Sequence, residues 1–258
     1  MLTSAPARRR SLATVLSAAA FAVALLLGTP QAVADIYRSP AGTYEVKGAI
    51  LAEYRALGGP DGFLGFPLTN ELTTPIRTEG RFSVFQHGSI YWTPATGAHE
   101  VHGAIGAEWG HLGWENGVLG FPVTDELSTP DGRGRFNYFE RGGIYWTPST
   151  GAHEVHGAIL EQWAAQGWER GAGYPLTDEL STPTKPGRFN HFEHASIYWS
   201  PTTGAYTVYS NFRALWASMG WENSCLGFPI SNANRGFQSF QGGSIAIQGS
   251  GELYASCR

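Results

Sequence analysis

Flat aromatics, guanidinium groups and carboxylates recur together along this 258-residue chain. Trp92, Trp146 and Trp199 each follow a tyrosine, Tyr91, Tyr145 and Tyr198, in an Ile-Tyr-Trp run. Arg81, Arg135 and Arg188 each stand between Gly and Phe, while Glu71, Asp125, Glu126, Asp178 and Glu179 sit in three acidic turns. Aromatic faces stack on the apolar side of a sugar ring, forked guanidinium donors reach hydroxyl and carboxylate oxygens, and carboxylates accept hydroxyl protons. The set therefore suits polysaccharide recognition. In the competing reading each Trp fills its own unit's core and each Arg pairs with an acid of its own or the next unit. Trp109, Trp163 and Trp216, at helical spacing, belong to the core on either reading, which leaves Trp92, Trp146 and Trp199 as the ligand candidates.

Other chemistries find little support. His99-Glu100-Val101-His102 and His153-Glu154-Val155-His156 superficially resemble a zinc-protease motif. Their spacing is wrong for it, and on a strand the two histidines point oppositely, so exposed histidines and no metal are predicted. No G-x-S-x-G elbow, P-loop or cysteine nucleophile is present, and Gly132-Arg133-Gly134 is a weak phosphate signal. Carboxylate pairs serve glycoside hydrolysis, but here the acids recur in three units. A hydrolase normally needs one asymmetric site, whereas a polymer binder gains from several weak ones. No cofactor is expected.

These residues must be positioned by a repeating framework. Blocks start at Val46, Val101, Val155 and Val208, spaced by 55, 54 and 53 residues. Apolar residues at Ile50, Tyr54 and Leu57, Ile105, Trp109 and Leu112, and Phe212, Trp216 and Met219 line one face of a short helix. The third block has Ile159 and Trp163 but Gln166 in the last slot, so an earlier helix end is expected there. Gly58, Gly113, Gly167 and Gly220 follow as left-handed helix terminators. Next come Leu64-Gly65-Phe66-Pro67, Leu119-Gly120-Phe121-Pro122, Ala172-Gly173-Tyr174-Pro175 and Leu226-Gly227-Phe228-Pro229, in which Gly permits a tight turn and Pro removes a donor. The acidic turns, a Gly-Arg-Phe strand, an Ile-Tyr-Trp strand and a third strand complete each unit. Alternation sends Ile and Trp to one sheet face and Tyr to the other, and at least one face must be covered. The expected fold is β-rich α+β, a tandem array of about four units with a short helix and about three strands each. Residues 35–45 form an N-terminal partial unit, 46–100, 101–154 and 155–207 are full units, and 208–258 is a divergent C-terminal cap lacking the acidic turn.

Residues 1–34 carry Arg8-Arg9-Arg10, an apolar run from Leu12 to Leu27 and an Ala-Val-Ala end, the three parts of a secretory signal with cleavage before Asp35. The apolar run is short for a membrane span. Removing it leaves a net charge of −7, which argues against nucleic acid as a partner. Cys225 and Cys257 are the only cysteines, and export favours their pairing.

The four tetrapeptides in register, the acidic turns and the Gly-Arg-Phe and Tyr-Trp-Thr-Pro phrases resemble the LGFP-repeat family of actinobacterial cell envelopes, over Ile36 to the end. The resemblance implies a stalk-like array of β-rich units that holds a protein to peptidoglycan or arabinogalactan. In that family the units often accompany a mycoloyltransferase or wall hydrolase, so a hydrolase or envelope esterase is the alternative, and a passive spacer or partner-protein scaffold a third. Ala172 and Tyr174 depart from the family tetrapeptide.

Overall fold

The computed structural model describes residues 33–258; the signal segment and its export role lie outside them, apart from residues 33 and 34. The described chain alternates antiparallel sheets with nine-residue helices. A two-stranded sheet, β1 (Ala34–Ser39) and β2 (Gly42–Lys47), leads into α1 (Gly48–Ala56). Then come β3 (Leu72–Thr73), β4 (Arg81–Phe85), β5 (Gly88–Thr93), β6 (Gly97–His102) and α2 (Gly103–His111). The same order repeats as β7 (Leu127–Ser128), β8 (Arg135–Phe139), β9 (Gly142–Thr147), β10 (Gly151–His156) and α3 (Gly157–Ala165). It repeats again as β11 (Leu180–Ser181), β12 (Arg188–His191), β13 (Ala195–Ser200), β14 (Gly204–Tyr209) and α4 (Ser210–Ser218). The series closes on β15 (Phe237–Phe240), β16 (Gly243–Ile247) and β17 (Leu253–Cys257). Every sheet follows chain order. The fold is β-rich α+β in tandem, with a fourth, two-residue strand in each full sheet beyond the three expected.

Helices sit between consecutive sheets, so the full sheets are covered on both faces. Ile90 of β5 packs with Ile50 and Tyr54 of α1, while Tyr91, its neighbour in sequence, packs with Ile105 and Trp109 of α2. Tyr91, Tyr145 and Tyr198 meet Trp109, Trp163 and Trp216 edge to face, with centroids 4.7, 4.6 and 4.7 Å apart, geometry that adds about 0.5–1.5 kcal/mol per pair beyond area burial. The expected early end of the third helix does not occur: α3 has the same nine residues as the others, because the Gln166 slot is the C-cap and not a helical position.

The tetrapeptide is the joint between units. Its Gly takes φ of +68° to +83°, and the backbone N–H after it donates to a side chain of the next hairpin: Phe66 to Gln86, Phe121 and Tyr174 to Glu140 and Glu193, Phe228 to Gln241. The aromatic then presses on the preceding sheet. A Cβ at Gly80, Gly134 or Gly187 would stand 2.5, 2.6 or 2.7 Å from Phe121, Tyr174 or Phe228. Phe66 has no full sheet before it and stays half-buried. Arginines clamp two of these joints. Arg77 lies over the Phe121 ring and pairs with Glu140, and Arg133 lies over Tyr174 and pairs with Glu193 at 2.7 Å. Tyr174 departs from Phe with a reason: its hydroxyl bonds Thr129 at 2.7 Å and Asp131 at 2.6 Å in the preceding unit. Cys225 and Cys257 are disulfide-bonded and tie β17 to the last tetrapeptide.

Candidate functional site

Strand register brings the candidate residues to one wall. Ser128, Arg135 and Trp146 are cross-strand partners on β7, β8 and β9, so their side chains share a face. Glu126, just before β7, joins them, with Arg135 Nε 3.4 Å from its carboxylate and Arg135 donating to Ser128 Oγ at 2.6 Å. The facing wall belongs to the previous unit and the linking helix, namely His102 at the end of β6 and Gly103, Ala104 and Ile105 opening α2. Together they enclose a cleft of about 260 Å³. Gly103 has φ +55°, and a Cβ there would meet nothing within 4 Å. The helix therefore opens onto free space beside the indole.

A relay of charges spans the cleft. Buried Glu100 accepts the Glu126 backbone N–H at 2.8 Å and pairs with His102 Nδ1 at 2.7 Å, while His102 Nε2 faces Glu126 at 3.6 Å. The Glu100 bond raises the His102 pKa against the opposing effect of burial. Burial raises that of Glu126, with His102 pulling the other way. The half-buried histidine thus favours its charged form between two carboxylates.

The same positions recur at the neighbouring joints. His156, Glu179, Arg188 and Trp199 repeat the arrangement: His156 bonds Glu154 at 2.7 Å, its Nε2 is 3.6 Å from Glu179, and Arg188 Nε is 3.4 Å from Glu179. A second opening of about 310 Å³ lies beside Arg188 and Trp199 against the Ser181–Gly187 loop. At the first joint Lys47 replaces histidine, 4.0 Å from Glu71, and Arg81 donates to the Thr78 and Gly80 carbonyls beside Trp92. At the last joint Tyr209, Ala233, Gly236 and Ile247 occupy these places, as the Ile247 N–H to Gly236 carbonyl bond fixes. The set is lost there.

Two groups of predicted residues lie elsewhere. Tyr91, Tyr145 and Tyr198 are 6, 3 and 3% exposed and point to the opposite sheet face, so they cannot share a sugar ring with the tryptophans. Asp125 and Asp178 instead bond His99 and His153, and the Glu100 and Glu154 backbone N–H groups. Burial pushes both aspartates up, but these bonds outweigh it and leave them below the ordinary value. The histidines are not exposed as predicted: all four are part-buried and paired with carboxylates. Sequence reasoning missed His102 and His156 as cleft residues. Their three-residue offset from His99 and His153, which turns them to the other face, was the available signal. Among the described residues no group of three or more His, Cys, Asp or Glu could hold a metal ion, and no helix is long and apolar enough to cross a membrane.

Sheets and helices in fixed alternation, with one set of polar and aromatic residues returning at each joint, define a tandem α+β repeat protein. The family model for the LGFP repeat matches residues 64–117, 119–171 and 173–224, more than half of the chain. The chain therefore belongs to the LGFP repeat family. Those matches begin at the tetrapeptide and cut the period at a different point from the blocks starting at valine. No curated protein matches the chain at a significant level. The repeats fit a protein associated with the cell envelope, and a disulfide fits an extracellular location.

Proposed function

We propose that this chain is an exported, non-enzymatic protein that binds cell-wall polysaccharide of the peptidoglycan or arabinogalactan type multivalently, through a residue set that recurs at three successive unit joints. The observation that carries this reading is the return of one tryptophan, one arginine and one glutamate to the same wall at each of the three joints, next to a half-buried His or Lys. The cleft beside Trp146 offers an indole, a guanidinium and a carboxylate, the complement of a hydroxylated ring, and the same residue types recur beside Trp92 and Trp199. Three such sets on one chain raise the effective concentration of the second and third contacts. Sedimentation of the full chain with insoluble cell wall tests this: the protein should pellet with the wall and be released by soluble wall oligosaccharide. Failure to pellet would leave a spacer or scaffold as the better reading.

One observation favours a hydrolytic alternative, the Glu100–His102 pair opening onto the cleft beside Glu126. It predicts release of soluble sugar or acyl product from wall or ester substrates, abolished by Glu126→Gln. The binding reading predicts no turnover.

A further inference from the structure

Helices α1, α2 and α3 each present the residue before their core aromatic, Glu53, Glu108 and Gln162, to a turn residue of a later unit, Asp125, Asp178 and Asn232. The last of these pairs is made of two amides. Gln162 Nε2 donates to Asn232 Oδ1 at 2.7 Å and to Thr207 Oγ1 at 3.0 Å, and Asn232 Oδ1 also accepts the Thr207 backbone N–H at 2.9 Å. In the other two pairs the turn residue accepts the equivalent backbone N–H, from Glu100 to Asp125 at 3.2 Å and from Glu154 to Asp178 at 3.1 Å, but both side chains are carboxyls. A carboxylate only accepts, so two of them cannot make the bond that the amides make. Oε1 of Glu108 is accordingly buried with no partner. A proton on the glutamate supplies the missing donor.

A histidine completes each acidic set. His99 Nδ1 faces Asp125 Oδ1 at 3.1 Å and its Nε2 faces the Thr96 carbonyl at 3.0 Å. Both partners are acceptors, so both ring nitrogens carry hydrogen and the ring is charged. His153 repeats this with Asp178 at 3.2 Å and the Thr150 carbonyl at 3.1 Å, and Tyr206 stands in the same place at the last joint. The charged groups facing Glu53 are Asp125, His99 and Glu100; those facing Glu108 are Asp178, His153 and His111 of its own helix. The imidazolium already matches the aspartate, and a second carboxylate beside it would repel the first. Burial first, then the neighbouring aspartate, raise the pKa of both glutamates.

We infer that the joints carrying Trp146 and Trp199 are locked by a proton that Glu53 shares with Asp125 and Glu108 with Asp178, so that they hold in acid and loosen as pH rises, while amides close the last joint without one. A glutamate raised on folding stabilises while it is protonated, and that contribution is lost as pH climbs through its folded value. The aspartates, lowered on folding, set the acid limit, since they release their histidines once pH falls through their own folded values. Each aspartate immediately precedes Glu126 or Glu179, so the lock also fixes the turn that brings that glutamate beside the tryptophan. Any effect on wall binding rests on the polysaccharide reading above; the lock does not.

The test follows thermal unfolding of the full chain from about pH 5 to about pH 8 in the parent and in Glu53→Gln/Glu108→Gln, which supplies an amide donor at every pH and keeps all the histidines. Across this range the variant should gain on the parent by about 3–5 °C, the shift that a tenfold change in the folding equilibrium makes in a chain of this size. Glu45→Gln/Glu161→Gln removes the same charge from two exposed glutamates and should run parallel to the parent. In the parent itself, the side-chain carboxyl carbons of Glu53 and Glu108, followed by NMR, should titrate above the ordinary glutamate range. A variant that gains no more than the control, or glutamates that titrate within or below the ordinary range, would overturn the inference. Melting and NMR read the lock, whereas wall sedimentation reads polysaccharide binding. A chain that pellets but shows neither pH signature sinks the lock alone, and one that shows both but never pellets sinks the polysaccharide reading alone.

Discussion

Gly134→Ala probes the joint between the β7–β10 and β11–β14 sheets, the one that follows the central cleft. Gly134 has ordinary φ, so backbone freedom is not the reason for glycine there; space is. A Cβ at Gly134 would stand 2.6 Å from Tyr174 Cε1, 2.9 Å from its hydroxyl and 2.7 Å from the Trp146 carbonyl oxygen. Relaxed contacts between carbon atoms need roughly 3.5–4 Å. The Tyr174 ring is fully buried and its hydroxyl is held by Thr129 and Asp131, while the carbonyl is part of β9. Neither neighbour can yield freely. Overpacking costs about 1–3 kcal/mol, and displacing a hydroxyl bonded to a carboxylate adds about 1.5–3 kcal/mol, so a loss of about 3 kcal/mol is expected. At roughly 2–4 °C per kcal/mol for a chain of this size, the melting transition followed by circular dichroism should fall by about 6–12 °C. Because repeat stability is a sum of unit and interface terms, the transition should also broaden or split. Gly132→Ala, two residues away, meets nothing within 4 Å but has φ +75°; it should cost only about 1–2 kcal/mol. If Gly134→Ala melted within about a degree of the parent chain, the idea that the tetrapeptide aromatic wedges against the preceding sheet would be wrong.

Three further outcomes are expected. Asn137 donates to the Glu100 and Thr124 carbonyls at 3.0 and 3.1 Å from a fully buried position, so Asn137→Ala should cost about 2–3 kcal/mol in chemical denaturation by orphaning both acceptors; a change below about 0.5 kcal/mol would show that the bonds are dispensable. Reducing the Cys225–Cys257 bond opens a loop spanning 32 positions and should destabilise the last unit by about 3–4 kcal/mol, seen as faster hydrogen exchange in β15–β17, whereas uniform loss along the chain would point to a different coupling. Bonds to Glu100, Asp125, Glu154 and Asp178 raise the pKa values of His102, His99, His156 and His153. Groups raised on folding stabilise fully below the unfolded value near 6.5 and lose that contribution as pH climbs through the folded value. The chain should therefore melt at a higher temperature at pH 6 than at pH 9, and an equal or higher value at pH 9 would refute the pairings.

Much of this architecture is legible in the residues. The period, the helix, the left-handed glycine after it and the split of Ile-Trp from Tyr across the sheet all follow from spacing, because each depends on local geometry. Contacts between units were harder. That both sheet faces are covered, that Tyr174 differs from Phe because Asp131 lies opposite it, and that His102 faces Glu126 depend on which element of one unit meets which of the next. A period does not encode that. Tryptophans 114, 168 and 221, held at φ 55–58° in the turn after each glycine, carried no signal, since such a conformation disfavours the residue that adopts it.

The most direct test is the affinity of the full chain for insoluble wall as the recurring tryptophans are removed one at a time, Trp146→Ala, then with Trp92→Ala, then with Trp199→Ala, each checked for folding. Linked weak sites exceed a single one by roughly 10²–10⁴, so affinity should fall by about tenfold or more at each step and reach background in the triple variant. A folded triple variant that pellets with the wall as the parent chain does would contradict the claim that these tryptophans hold polysaccharide.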